Sequence, residues 1–139
     1  MDQTCRFECE LTQEEVTLFS QLSGDRNPLH VDEAYARTTE YGRPIVHGAL
    51  LVGLVSRVLG MHIPGTRSVL LSMKVHFPKP LFYPARVQVE GRLKSFDDAR
   101  QMGLVHVVIT DLAKLWSVLE AEAAFALHAM TEHVPAAPT

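Results

Sequence analysis

The stretch from Ile45 to Ile63 is apolar in most positions but carries His47, Ser56, Arg57 and His62, and from Ser68 the chain switches from a helical period to a period of two. Charge in the middle of a bilayer is costly, so this stretch reads as a buried core helix, about Ala49 to Leu59, and not as a membrane span. Beyond the switch, Val69, Leu71, Met73, Val75 and Phe77 alternate with Ser68, Leu70, Ser72, Lys74 and His76, the pattern of a half-buried strand. Three more strand-like stretches follow, about 85–96, 102–112 and 115–128, whose short connections predict antiparallel neighbours. A helix apolar on most sides must be covered, so the expected fold class is α+β, an antiparallel sheet curled around one long helix.

Ahead of that helix, Arg6 to Leu11 reads as a short strand. Thr12 and Glu15 form a capping box, and Val16, Leu18, Phe19 and Leu22 carry a helix to its stop at Gly24. Asp32 to Arg37 reads as a short polar helix, and residues 40–44 turn the chain into the main helix. Neither a repeat nor a linker is visible. The reading is one domain over residues 1–134 followed by a disordered tail, 135–139.

Composition narrows the partners. Thirteen basic and sixteen acidic residues leave a net charge of -3, with no basic cluster, which argues against nucleic acid. Cys5 and Cys9 are the two cysteines, too few for a disulfide framework or a four-cysteine zinc site, and they read as reduced thiols on a strand. The N-terminus lacks the pattern of a secretory signal, so a cytoplasmic protein is expected.

The chemistry-bearing run is Ser23-Gly24-Asp25-Arg26-Asn27-Pro28-Leu29-His30, followed by Gly42-Arg43-Pro44-Ile45-Val46-His47-Gly48. Asn27-Pro28 cannot continue a helix, so Asp25 and His30 are expected to project from one irregular loop as an acid/base pair. Gly48 heads the long helix, where unsatisfied N–H groups and a dipole worth about half a positive charge can receive an oxyanion. Acid, base and oxyanion donor together serve proton transfer beside a carbonyl. Asn27 reads as a loop-fixing residue and His47 as a structural histidine bonded to backbone. The other histidines have no metal-ligand spacing, and no metal is expected.

These two runs resemble the hydratase 2 signature of the MaoC-like dehydratases, a hotdog-fold family. The resemblance covers about Leu11 to Pro80 and rests on Phe19, Gly24-Asp25, Asn27 to His30, Pro44 to Gly48, Ser56 and Phe77. It thins beyond Pro80: the Gly-Asp usual before the next strand is Pro84-Ala85 here. The resemblance implies reversible hydration of trans-2-enoyl thioesters to (R)-3-hydroxyacyl thioesters, carried on coenzyme A or acyl carrier protein, without a cofactor. Asp25 and His30 would share the reacting water and both protons, Gly48 would hold the thioester oxygen, and Ser56 would support the pair. Some of Val52, Val55, Leu59, Met61, Leu71 and Met73 would line an acyl tunnel. Arg43, Lys74, Lys79 or Arg86 would meet phosphates or an acidic carrier protein. A homodimer is expected, possibly a higher oligomer, because one sheet on one helix leaves an edge and an apolar face. A hotdog thioesterase and a non-catalytic thioester-binding subunit remain as alternatives.

Overall fold

The structure is a computed structural model and describes residues 1–131; residues 132–139, including His133, the end of the expected domain and the 135–139 tail, lie outside the described residues. Chain order is β1 (Thr4–Leu11), α1 (Gln13–Ser23), α2 (Pro28–Val31), α3 (Glu33–Arg37), α4 (Gly48–Met61), β2 (Ser68–His76), β3 (Ala85–Asp97), β4 (Met102–Asp111) and β5 (Trp116–Leu127). The strands form one antiparallel sheet in the order β1-β3-β4-β5-β2, and α4 packs on it, the α+β hotdog arrangement.

Helix α4 buries Leu51, Val55, Val58 and Leu59 in the same core cluster as Val87, Val89, Val105, Val107 and Phe125 of the sheet. Each such side chain contributes about 1.5–3 kcal/mol by leaving water. Ala49, Gly53, Ser56, Arg57 and Met61 on α4 remain exposed, so the sheet covers one side of this helix and not most of it. Among the described residues no helix is long and apolar enough to cross a membrane.

Helix α1 starts at the capping box: Thr12 Oγ1 accepts the Glu14 N–H at 3.2 Å, and the Glu15 carboxylate accepts the Thr12 N–H at 2.8 Å. Its inward residues are Val16, Phe19 and Ser20, whereas Leu18 and Leu22 are exposed. Gly24 ends it with φ 78°, in the left-handed region that costs a glycine nothing, and this turn sends Asp25 off the helix.

Two expectations change. The Asn27–His30 segment is not wholly irregular: Pro28 occupies the first position of the single-turn α2, where its missing N–H is no loss. Strand β2 does not alternate along its length. It is an edge strand, its pairing with β5 shifts between Leu70 and Ser72, and Val69, Leu70 and Leu71 are all exposed while only Met73 and Val75 pack on the core. Cys5 and Cys9 are free thiols on β1, their pKa values raised mainly by burial.

Candidate active site

Asp25 is held by its neighbours. Its N–H donates to Ser23 Oγ at 3.0 Å, and its Oδ1 accepts the Asn27 N–H at 3.2 Å. Asn27 in turn accepts the Leu29 N–H at 3.0 Å and caps α2. This cap carries His30 to the place where its Nδ1 lies 2.8 Å from the Ile45 carbonyl oxygen. A carbonyl only accepts, so Nδ1 carries a proton, and the tautomer this bond selects places the lone pair on Nε2. Tyr83 Oη donates to the His30 carbonyl and ties α2 to the segment before β3.

One donor atom each from Asp25, His30 and His47 lie within 4.8 Å of one another. The acid and the base are therefore brought together. His47 is 1% exposed, and its Nε2 stands 3.0 Å from the Asp25 carbonyl oxygen and 3.2 Å from Ser20 Oγ. Nε2 is thus the protonated nitrogen, and Nδ1 is buried without a partner. Burial lowers the His47 pKa most; its bond to the Asp25 backbone opposes this, and the nearby His30 adds to the lowering. The His30 and His47 rings stack with centroids 4.0 Å apart, and the Phe19 ring lies tilted against His47 at 4.8 Å. These three groups are also the donors among the described residues near enough to share a cation.

His47 is the N-cap of α4, but its side chain makes no cap bond, so the first turn keeps free N–H groups beginning at Gly48. A Cβ on Gly48 would lie 3.0 Å from the Phe77 ring, so glycine is what lets the backbone come this close. Beside it lies a cavity of about 350 Å³, walled by His30, Gly48, Leu51, Phe77, Lys79 and Val118 among others.

The remaining expected residues distribute differently. Val55 and Leu59 face the sheet and belong to the core, and with Val52 they lie outside this cavity's lining. Ser56 is exposed and makes no hydrogen bond to Asp25 or His30 among the described residues; eight residues of helix place it about 12 Å along the axis from Gly48. Arg86 lies 3.7 Å from the Glu8 carboxylate on the sheet, and Lys74 lies with Glu120 and Glu122 on the sheet's outer side. Arg43 donates to the Tyr83 carbonyl oxygen at 2.9 Å and borders a separate hollow of about 650 Å³ with Glu33. Ile45, Ser20 and Tyr83 position the site yet were not foreseen. Ile45 acts through its carbonyl, which every residue has, so no residue-type signal marks it.

The chain belongs to the MaoC-like domain family, which matches residues 1–114. It is 47% identical to an (R)-specific enoyl-CoA hydratase of Aeromonas caviae over 76 residues, 55% of this chain and 57% of that protein. It is 39% identical to a 3-hydroxybutyryl-CoA dehydratase of Methylorubrum extorquens over 72 residues, 52% of this chain and 46% of that protein. The chain spans about half the length of these curated relatives. In three dimensions it is similar to the (R)-hydratase of A. caviae involved in PHA biosynthesis, with TM-score 0.85 and 33% identity over 91% of this chain and 95% of that one.

Proposed function

We propose that this protein reversibly hydrates trans-2-enoyl thioesters to (R)-3-hydroxyacyl thioesters, carried on coenzyme A or an acyl carrier protein, in the cytoplasm. The observation that carries the reading is the nearness of Asp25 to His30, which in turn walls one cavity together with the Gly48 end of α4. Hydration adds hydroxide at C3 and a proton at C2. A water held between the Asp25 carboxylate and His30 Nε2 supplies both, the pair taking one proton from it and delivering one to carbon. As the C3–O bond forms, charge gathers on the thioester oxygen, where the Gly48 N–H receives it; one such donor is typically worth about 3–4 kcal/mol of barrier. Asn27 and His47 hold the pair in place. Ser56 and the tunnel role of Val52, Val55 and Leu59 find no support within one protomer.

The working unit of this reading is a homodimer. Support comes from the unpaired edge of β2, with Val69, Leu70 and Leu71 exposed, and from the open side of α4.

Purified protein with crotonyl-CoA tests the chemistry. The expected result is loss of the conjugated-enoyl absorbance without release of free thiol. Thiol release identifies a thioesterase instead, and binding without either change identifies a non-catalytic subunit.

A further inference from the structure

Lys79 lies between Pro78 and Pro80 at the wall of the cavity that also holds His30 and Gly48. The two prolines stiffen its backbone. Its Nζ stands 5.5 Å from the centroid of the Trp116 ring, and Lys114 Nζ stands 5.9 Å from the same centroid. Lys114 is placed by a built turn: the buried Asp111 accepts the N–H groups of Ala113 and Lys114 on Oδ1, and Leu115 adopts φ 56°, in the left-handed region a leucine seldom enters. Neither ammonium has a carboxylate partner among the described residues. The Trp116 indole N–H beside them is buried and has no acceptor either. Two cations thus flank one ring, Lys79 on the cavity wall and Lys114 beyond it, and among the described residues no carboxylate pairs with either.

We propose that Lys79 and Lys114, gathered around Trp116, bind the phosphate of the pantetheine arm that carries the acyl thioester. This rests on the thioester reading above and names the group that the site grips away from the reacting carbon. The arm is long, so its phosphate is met outside the cavity and not within it, which suits Lys79 at the wall and Lys114 beyond. The shared chemistry is a pantetheine-linked phosphate, whether it belongs to coenzyme A or to a carrier protein's prosthetic arm.

Trp116 is the single tryptophan of the chain, so its emission reports this place directly. Wild type, Lys79→Gln, Lys114→Gln and the double variant are titrated with pantetheine, 4′-phosphopantetheine and coenzyme A, with calorimetry as a second readout. Wild type is expected to bind 4′-phosphopantetheine roughly tenfold or more tightly than pantetheine, an advantage that shrinks as salt is raised and disappears in the double variant. If coenzyme A and 4′-phosphopantetheine share the lysine dependence, the site reads the phosphate next to pantetheine as proposed; if coenzyme A alone shows it, the lysines read the nucleotide phosphates and the proposal is overturned. Equal wild-type affinity for pantetheine and both phosphorylated ligands, or a double variant that binds as wild type does, overturns the proposal. Binding needs no turnover. A protein that hydrates no enoyl thioester yet shows lysine-dependent phosphate binding refutes the reaction and upholds this site, and the reverse pattern does the opposite.

Discussion

His30 and Asp25 can be removed without disturbing the core, because His30 is half-buried on a one-turn helix and Asp25 is exposed. Asp25→Asn and His30→Ala are each expected to lower kcat for crotonyl-CoA roughly a hundred- to ten-thousand-fold while thermal unfolding stays close to wild type. A fall in kcat that only tracks a fall in Tm speaks against a chemical role. His47 behaves differently. In the folded protein burial depresses its pKa below the ordinary value of 6.5, whereas the unfolded chain takes up the proton near that value. The unfolded state therefore binds more protons below pH 6.5, so the stability held above that pH is lost progressively as pH falls toward the depressed folded value. Denaturant titrations across this range are expected to show a slope that His47→Gln reduces. The nearness of Asp25 and His30 was legible in their spacing around Asn27-Pro28, but the orientation of His30 was not, because the Ile45 carbonyl that sets it has no signature.

Among the elements, α1 and α4 were readable because each carries its own local signals: the Thr12/Glu15 box for α1, the apolar run after Gly48 for α4. Helix α2 was not. Four residues hold too little periodicity, and Pro28 reads equally as a breaker and as a first helical residue. Besides its Asn27 cap, what secures α2 is tertiary: the bond from Tyr83 Oη to the His30 carbonyl and that from the Ile45 N–H to the Leu29 carbonyl. Tyr83→Phe is expected to cost about 1 kcal/mol of stability and to lower kcat/KM by loosening His30, read from denaturant unfolding and steady-state kinetics. At the head of α4, Gly48→Ala sets a Cβ 3.0 Å from the Phe77 ring, and an offset of a few tenths of an ångström at the oxyanion donor is expected to lower kcat/KM roughly tenfold. Phe77→Leu in the same chain is expected to restore part of it. An equal loss in the double variant would show that contact with Phe77 is not the cause.

For the whole molecule, the antiparallel sheet followed from the change of period at Ser68, but the place of β2 did not. Periodicity gives faces and not neighbours, and β2 crosses past β3 to pair with β5 at the sheet's edge. That edge carries the proposed dimer. Leu70→Asp is expected to shift sedimentation from dimer to monomer with the fold retained by circular dichroism; an unchanged sedimentation coefficient places the contact elsewhere. Residues 45–48 join distant parts of the chain through successive positions: Ile45 fixes the imidazole of α2, Val46 donates to Leu81, His47 grips the turn after α1, and Gly48 opens α4. Such a segment behaves as a ruler with a mark on every division. Ile45 and Val46 attach through their backbone and leave room for other side chains, whereas inserting or deleting one residue there detunes all four attachments at once, so the segment's length sets how much change the candidate site can absorb.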